Sequence, residues 1–282
     1  MSVDLDPVRA ALHQMWQGAA PSWEQHADYV DERCAPITLA MLDAAEVAAG
    51  DRVLELACGP GGVGLAAAER IGEKGNVVLS DVAPEMVRIA EARAAALGLA
   101  NVEARERDLE SIAEDDATFD VVLCREGLML VPDPARAARE MRRVLRPGGR
   151  MAVAVWGPRD RNPWLGILFD SITEHLGVPV PPPGVPGPFA LADAARVATL
   201  LTEAGCAAVR VREVAVPVRV RDFATWWSTV PALAGPVSRL LESLPGEVRA
   251  AIRASAEQAL APYVTPHGLD IPGVSLVASG TA

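Results

Sequence analysis

The sequence is poor in aromatic and basic residues, and both shortages limit what the protein can be. Phe, Trp and Tyr make up 4% of the 282 residues, so alanine, valine and leucine must supply most of the core. Lysine and arginine number 26 against 37 acidic residues, which gives a formal net charge of −11. We therefore expect no nucleic-acid partner, because counterion release, which drives binding to a polyanion, would not favour so acidic a protein.

Cysteine and long apolar segments are scarce as well. The four cysteines (Cys34, Cys58, Cys124 and Cys206) stand far apart without a C-x-x-C pair. This spacing predicts neither a disulfide framework nor a metal site, and free thiols favour a reducing cytoplasm. No apolar run approaches the roughly 18 residues of a membrane span, and no signal-peptide pattern is present. We expect a cytoplasmic protein without a membrane span.

From residue 51 onward, short apolar runs alternate with alanine-rich helical segments, which predicts βαβ crossovers and a parallel sheet. The predicted strands cover residues 53–57, 77–81, 102–105, 119–124, 151–156, 209–220 and 274–278. The predicted helices cover residues 62–71, 84–97, 134–145, 165–176, 192–204 and 223–262. The pattern thus divides the chain into an N-terminal helical segment (1–49) and a main domain (50–282). A helical cap is inserted into that domain at about 222–265.

The most informative motif lies at residues 53–64, which read VLELACGPGGVG. Gly59, Gly61 and Gly64 fit G-x-G-x-x-G between a predicted strand and a predicted helix, a pattern typical of a turn that holds a nucleotide-bearing cofactor. Asp81 ends the next strand, 22 residues after Gly59, where a carboxylate can bind ribose hydroxyls. The motif alone does not separate dinucleotides from other adenosine cofactors.

Two further acidic residues favour a cofactor other than a dinucleotide. Glu55 lies inside the first strand, where a dinucleotide fold prefers an apolar residue, and a cofactor ammonium group would explain it. Asp108 follows the third strand and could accept a hydrogen bond from an adenine amino group. Other interpretations remain: Asp81 as a cap of the next helix, Glu55 paired with Arg52 or another cation, and Asp108 simply solvated.

Several segments resemble the class I S-adenosylmethionine-dependent methyltransferases, and most closely the small-molecule branch of the ubiquinone and menaquinone C-methyltransferases. They are VLELACGPGG, VVLSDVAPEMVRIAEARA, RDLE and FDVVLCREGLMLVPDPARAAREMRRVLRPGGRMAVAVW. The likeness is dense over residues 51–156 and loose elsewhere. It implies an α/β, Rossmann-like, seven-stranded, mostly parallel sheet with the last strand antiparallel, flanked by helices and covered at the cofactor site by the N-terminal segment. One departure is Ala57, where the family often has glycine.

The resemblance implies S-adenosyl-L-methionine as cofactor, and a set of residues that contact it. The methionine moiety would be framed by Glu55, Gly59 and Gly61, with Arg125 or its backbone at the tail. The adenosine would be held by Asp81 at the ribose, Val82 and Met86 on the adenine faces, and Asp108 and Leu109 at the adenine edge. Met86 fits a core position equally well, and Cys58 and Cys124 fit packing roles better than catalytic ones.

The candidates for a general base are few. His26 lies beside Tyr29 in the N-terminal segment, and Glu126 lies in the loop after the fourth strand. Each fits a surface or helix-pairing role as well, and the sequence does not identify the base.

The acceptor is predicted from the tryptophans outside the cofactor-binding core. Trp164, Trp226 and Trp227 predict an apolar pocket for a flat, small molecule of quinone, phenol, polyketide or terpenoid type, although they could equally hold the cap to the sheet. The predicted reaction is direct in-line methyl transfer to such an acceptor. The helical segments at both ends could also support a homodimer.

Two other functions use the same cofactor cradle. An NAD-dependent oxidoreductase should carry a Tyr-x-x-x-Lys pair or similar base, but neither Tyr29 nor Tyr263 is followed by such a lysine. A non-catalytic S-adenosylmethionine-binding protein would keep the glycine turn and Asp81 without turnover.

Overall fold

The computed structural model describes residues 6–282, and its elements are numbered here in chain order. The strands are β1 (Arg52–Leu56), β2 (Asn76–Asp81), β3 (Val102–Glu106), β4 (Phe119–Arg125), β5 (Leu145–Trp156), β6 (Ala207–Ala215), β7 (Val218–Val220), β8 (Val264–Thr265), β9 (Gly268–Ile271) and β10 (Val274–Thr281). The helices are α1 (Asp6–Gln25), α2 (Ala27–Ala44), α3 (Gly62–Ile71), α4 (Pro84–Ala96), α5 (Pro134–Val144), α6 (Pro163–Leu176), α7 (Ala194–Glu203), α8 (Phe223–Leu233), α9 (Val237–Ser243) and α10 (Gly246–Leu260).

Seven of the strands form one sheet in the order β3-β2-β1-β4-β5-β10-β6. β1 to β5 pair in parallel, whereas β10 runs antiparallel to both of its neighbours. The predicted seven-stranded, mostly parallel sheet with an antiparallel last strand is confirmed. The strand order reverses between β1 and β4, and in open α/β sheets ligands bind at the carboxyl ends of the strands that flank such a reversal.

The central strands are apolar because helices cover both of their faces. Val53, Leu54, Leu79 and Leu123 are completely buried, as expected for strands inside a parallel sheet. The edge strand β3 has only exposed and half-buried side chains, which explains why its apolar pattern is the weakest of the five.

The fourth crossover begins with a capped helix. The Asp133 side chain accepts a hydrogen bond from the Arg136 N–H at 2.9 Å, and Pro134 occupies the first turn, so α5 begins where the sequence predicts. The following strand begins earlier than predicted, at residue 145, because Leu145 already pairs with Phe119 of β4 before a register shift brings Arg150 opposite Val121.

The N-terminal segment forms two helices that lie against the main domain. α2 buries Val30, Cys34, Ile37 and Met41, and it packs on β5 and β10. α1 packs against α4 and α8. Residues 1–5 of this predicted segment lie outside the described residues.

The single strand predicted over residues 209–220 is wrong. The structure has two strands there: β6 joins the seven-stranded sheet and β7 joins a small second sheet of order β7-β9-β8. Pro217 lies between them and has no N–H to donate, so the ladder cannot continue through it.

The long helix predicted over residues 223–262 is also divided. The structure has α8, α9 and α10, and a proline directly precedes each of the last two, at Pro236 and Pro245. The strands β8 and β9 were not predicted, since runs of two and four residues are too short to show a periodic pattern.

Candidate functional site

The glycine turn lies at the carboxyl end of β1, beside the point where the strand order reverses. Gly61 is the residue before α3 and has a φ of 90°. Its N–H donates to the Cys58 carbonyl at 2.8 Å, which closes the turn. Glycine adopts this left-handed backbone without the steric cost of a Cβ, so the local structure has the strand–turn–helix form that the motif predicts.

Two non-glycine residues at this edge also have left-handed backbones. Ala57, at the position where the family often has glycine, has a φ of 50°, and Glu126 after β4 has a φ of 56°. Such a conformation costs roughly 1–2 kcal/mol for an L-residue. Backbone strain concentrated at neighbouring strand ends is typical of a functional edge.

Asp81 ends β2 with its carboxylate beside the turn. Oδ2 accepts a hydrogen bond from the Gly59 N–H at 2.9 Å, and Oδ1 accepts one from the Ala83 N–H at 3.0 Å. Burial raises the pKa of Asp81, and these N–H groups oppose the rise. An ionised carboxylate keeps lone pairs for further donors, so the geometry fits a ribose hydroxyl as well as the alternative role at the start of α4.

Glu55 is almost completely buried in β1, with 1% of its surface exposed. Its Oε2 accepts a hydrogen bond from the Gly64 N–H at 2.7 Å, in the first turn of α3. Burial raises the pKa of Glu55 to about 8, although Arg125 and the Gly64 N–H lower it. Arg52, the partner considered above, instead places its guanidinium over the Phe119 ring. Near neutral pH the Glu55 carboxyl is therefore mostly protonated, and a cation beside it would favour its ionised form.

The residues predicted to contact the adenine faces lie just after β2 and in the first turn of α4. Val82 is half-buried, and Met86 is buried in a small cluster with Ala20 of α1 and Ile89 of α4. Trp23 packs against the same cluster. In this arrangement Met86 is a packing residue between the two helices, and its contact with adenine stays a prediction.

The predicted adenine-edge residues follow β3. The Asp108 carboxylate accepts a hydrogen bond from the Glu110 N–H at 2.8 Å and lies 3.8 Å from His13 of α1. Leu109 is buried. Asp108 therefore faces the N-terminal helix, and its hydrogen bond to an adenine amino group stays a prediction.

The N-terminal helices lie directly over the glycine turn. A ring carbon of Trp23 lies 3.8 Å from the position that a Cβ at Gly59 would take, and the Asp31 carboxylate fills the corresponding position at Gly62. Arg93 of α4 joins the two parts: it donates to the Pro60 carbonyl at 2.8 Å and to Asp31 at 2.7 Å. Any ligand of the turn must share this space with α1 and α2.

Arg125, the residue predicted at the methionine tail, is tied to α2. Its Nη1 donates to the Thr38 hydroxyl at 2.9 Å, and its Nη2 lies 3.7 Å from Asp31. Burial lowers the pKa of Arg125, but Cys34 and the Glu55 carboxyl outweigh that effect, so the net shift is upward.

Glu126 has the properties of a general base. Oε1 accepts a hydrogen bond from the Ser275 hydroxyl at 2.8 Å, whereas Oε2 is buried and has no hydrogen-bond partner among residues 6–282. Burial raises the pKa of Glu126 to about 7, and Ser275, Arg125 and Arg33 lower it. A carboxyl that titrates near neutral pH with one unbonded oxygen can take a proton from an acceptor.

His26 lies between α1 and α2, away from this carboxyl. Its Nδ1 is 2.8 Å from the Ser22 carbonyl oxygen, a contact within the helix turn. Within the part of the chain that the structure describes, no hydrogen bond or ion pair joins His26 to Glu126. The two predicted bases are therefore not in direct polar contact.

The predicted pocket tryptophans fall into two separate ring clusters. Trp164 packs edge-on against Trp156, with ring centres 5.0 Å apart. Trp226 and Trp227 pack on Phe223 inside the cap, at 5.7 and 6.1 Å. Each cluster adjoins a guanidinium: that of Arg33 lies 3.9 Å from the Trp164 ring centre, and that of Arg253 lies 5.0 Å from the Phe223 ring centre.

The sequence reasoning missed the α2 residues that face the strand ends. Tyr29 and Arg33 are four residues apart, the spacing that places two side chains on one face of a helix. Both carry buried polar atoms without a hydrogen-bond partner among the described residues. The four-residue spacing was the signal in the sequence that could have pointed to this pair. The polar residues around the two side chains instead favour a solvent-facing helix surface.

Two features are absent from residues 6–282. No group of three or more His, Cys, Asp or Glu side chains there is arranged to hold a metal ion. None of the helices in the same range combines the length and the apolar character needed to cross a membrane. All four cysteines are buried as free thiols.

A family model described as a methyltransferase domain matches residues 48–163, which contain β1 to β5 and every predicted cofactor contact. Residues 48–163 therefore form a methyltransferase domain of the class I S-adenosylmethionine-dependent type. The recognition from sequence motifs is confirmed, and S-adenosylmethionine is the cofactor of this domain family.

The methyltransferase domain has relatives with and without assigned functions. An uncharacterized protein of Mycobacterium tuberculosis is 34% identical over 173 residues, which are 61% of this chain and 58% of that protein. The ubiquinone/menaquinone biosynthesis C-methyltransferase UbiE of Escherichia coli O1:K1 is 36% identical over 136 residues, 48% of this chain and 54% of that protein. The likeness thus spans little more than half the length of either relative.

A solved structure confirms the fold over most of the chain. The YcgJ protein of Bacillus subtilis matches with a TM-score of 0.59 and 18% identity, covering 86% of this chain and 97% of that one. The Rossmann-like architecture therefore extends beyond the methyltransferase domain.

Proposed function

We propose that this protein transfers a methyl group from S-adenosylmethionine, by direct in-line displacement, to a small hydrophobic or aromatic acceptor of quinone, phenol, polyketide or terpenoid type. The observation that carries the proposal is the hydrogen bond between Asp81 and the Gly59 N–H. This hydrogen bond links the Asp81 carboxylate, which fits a ribose, to the glycine turn, which fits the rest of the cofactor. Both lie inside the methyltransferase domain.

The residues around the turn fit this cofactor. Asp81 can accept from ribose hydroxyls with its remaining lone pairs. Glu55, buried and mostly protonated near neutral pH, would ionise when a cationic ammonium group is placed beside it. Gly61 and Gly64 keep the backbone free of side chains, since a Cβ at either position would meet Leu79.

The chemistry divides between the cofactor and the chain. S-adenosylmethionine supplies an activated methyl group when it is bound. The protein orients the acceptor and excludes water, and such positioning contributes roughly 7–11 kcal/mol to lowering a barrier. Glu126 takes the acceptor proton at Oε2, because its pKa of about 7 matches the working pH. His26 is the second candidate for this role.

The proposed acceptor class is supported by the name of one relative, by the positions of the tryptophans and by the net charge of the chain. The E. coli relative is named for ubiquinone and menaquinone biosynthesis, and Trp164, Trp226 and Trp227 supply apolar rings outside the cofactor core. The formal net charge of −11 argues against a nucleic-acid acceptor. We infer a cytoplasmic enzyme, with residues 1–49 covering the site, a cap at about 222–265 and a homodimer as the assembly to test.

The proposal is tested by mass spectrometry of the acceptor. The protein is incubated with S-adenosylmethionine carrying a deuterated methyl group and a panel of phenols, quinols and hydroxylated polyketides. We expect one of them to gain a single labelled methyl group, and Asp81→Ala to abolish the gain. Asp193→Ala is the matched control, because Asp193 accepts one backbone N–H at the exposed start of α7.

The same experiment separates the alternatives. Binding of S-adenosylhomocysteine without methyl transfer to any member of the panel would favour a non-catalytic binding protein. Binding of NADH in its place would favour an oxidoreductase.

A further inference from the structure

Arg33 of α2 is a buried cation that the predicted cofactor contacts leave unused. Its guanidinium carbon lies 3.9 Å from the centre of the Trp164 ring and 5.1 Å from that of Trp156. Nε and Nη2 are buried and have no hydrogen-bond partner within residues 6–282. Burial lowers the pKa of Arg33, whereas nearby Cys34, Tyr29 and Glu126 raise it. Arginine remains charged in proteins, so the side chain keeps two unmet donors.

The positions of these donors indicate what they bind. Nε and Nη2 lie on one edge of the planar guanidinium and form a fork that matches the two oxygens of a carboxylate. The Trp164 and Trp156 rings, whose centres are 5.0 Å apart, both lie on one side of the guanidinium, and they supply no acceptor for the Nε–Nη2 edge. A buried charged donor without an acceptor is costly, and proteins keep such groups where a ligand supplies the acceptor.

Two other buried polar atoms near Arg33 also lack partners among the described residues. They are Oε2 of Glu126 and the hydroxyl of Tyr29, one helical turn before Arg33. Glu126 is close enough to act on the charge of Arg33, yet no ion pair joins them in the described part of the chain. The Arg33 guanidinium needs a hydrogen-bond acceptor, and Oε2 of Glu126 can accept from a donor. A ligand that carries one acceptor group and one donor group would satisfy the two side chains together.

The cluster adjoins a predicted cofactor contact at the carboxyl end of β4. Glu126 follows directly after Arg125, which the family resemblance places at the methionine tail. Ser275 at the start of β10 fixes the other oxygen of Glu126 at 2.8 Å. The Trp156 and Trp164 rings complete an apolar wall that suits a flat molecule.

We propose that Arg33 binds the carboxylate of the methyl acceptor through its Nε–Nη2 edge, and that the acceptor is an aromatic hydroxy acid whose hydroxyl donates to Glu126. The inference rests on the proposed function, since it places the acceptor beside the cofactor of that reaction. Arg33 would then recognise the substrate. Its contacts with the two indole rings, taken alone, would indicate only a packing role.

Binding of a simple aromatic hydroxy acid tests this assignment. Protein saturated with S-adenosylhomocysteine is titrated with 4-hydroxybenzoate and, separately, with its neutral methyl ester. We expect the wild type to bind the acid at least tenfold more tightly than the ester. Arg33→Met should lose that preference while its affinity for the ester is unchanged, and Arg33→Lys, which keeps the charge without the fork, should lose most of it.

Arg159→Met is the matched control. Arg159 also lies over two aromatic rings, Phe169 and Phe189, but it is already paired with Asp170. The preference for the acid should persist in this variant.

Urea unfolding distinguishes a ligand-binding role of Arg33 from a structural one. A structural role predicts that Arg33→Met lowers the urea midpoint, whereas a ligand-binding role predicts no decrease. If Arg33 serves a ligand, Arg33→Met should unfold at the same or a higher urea concentration than the wild type, because an unpartnered charge has been removed. A lower midpoint together with an unchanged preference for the acid would overturn the proposal.

The outcomes also separate this inference from the proposed function. If S-adenosylhomocysteine binds but the wild type does not prefer the acid to the ester, the role of Arg33 is wrong, whereas the cofactor binding on which the proposed function depends is upheld. If S-adenosylhomocysteine does not bind, the proposed function is wrong and this inference fails with it.

Discussion

At the scale of single residues, Glu55 couples the site to the stability of the fold. Its folded-state pKa of about 8 lies above the usual value for a glutamate, so the folded protein binds this proton more tightly than the unfolded chain. The resulting stabilisation is complete below the unfolded pKa and is lost as the pH rises through about 8. We expect the free energy of unfolding to fall over this window by up to about 1.4 kcal/mol per pH unit.

Glu55→Gln isolates this effect. Glutamine can still accept from the Gly64 N–H but does not titrate, so the variant should lose less stability between about pH 6 and 9 in urea unfolding. Glu126→Gln is measured in parallel, because the pKa of Glu126 is also raised, to about 7. Equal losses in the wild type and Glu55→Gln would mean that Glu55 is ionised in the folded protein.

Among the three glycines of the G-x-G-x-x-G motif, Gly64 has the least room for a side chain. A Cβ there would lie 2.6 Å from Glu55 Oε2 and would also overlap Leu79. We expect Gly64→Ala to lower the free energy of unfolding by about 1–3 kcal/mol, the usual cost of overpacking. The measurement is the urea midpoint. Gly246→Ala at the start of α10 is the control, because nothing lies within 4 Å of its Cβ position. A Gly64→Ala protein as stable as the Gly246→Ala one would contradict the close packing.

Sequence patterns can predict a candidate site residue when its environment is formed by neighbouring residues in the chain. Asp81 and Gly61 follow from strand ends and turn geometry, which neighbouring residues determine. Arg33 could not be found in this way, because its environment comes from Trp164, 131 residues later in the chain, and from Trp156. Contacts between distant segments leave no periodic signal.

At the scale of elements, α1 and α2 are the parts most affected by a cofactor. Trp23 packs over Gly59, so a ligand at the turn must change its surroundings. We expect S-adenosylhomocysteine to change the intrinsic tryptophan emission of the wild type. Trp23→Phe should lose most of that change.

Trp227→Phe is the control, because Trp227 lies in the cap cluster with Phe223. A full emission change in Trp23→Phe would place the ligand away from the N-terminal helices.

The elements of the methyltransferase domain were predictable, and those after it were less so. β1, β2 and β4 are short runs rich in valine and leucine, and α5 carries an aspartate cap and an initial proline, so both kinds of signal are local. The break at Pro217 was missed because residues 209–220 keep a strand-like alternation on both sides of the proline, while the two halves join different sheets.

At the scale of the whole molecule, the acidic charge predicts which partners are excluded. With a formal net charge of −11, the protein should not bind polyanions even at low salt. Fluorescence anisotropy of labelled DNA and RNA oligonucleotides should stay constant as protein is added. A salt-dependent rise would contradict a small-molecule acceptor.

The central claim is that the domain binds an S-adenosyl cofactor through Asp81. Calorimetric titration with S-adenosylhomocysteine tests it most directly, with NADH as a parallel ligand and Asp193→Ala as the control variant. Ribose hydrogen bonds to a carboxylate are worth roughly 1.5–3 kcal/mol each, so Asp81→Ala should weaken binding at least tenfold. Micromolar binding by the wild type and Asp193→Ala, lost in Asp81→Ala, is the predicted result. Binding of NADH alone, or equal affinity of all three proteins for S-adenosylhomocysteine, would contradict the account.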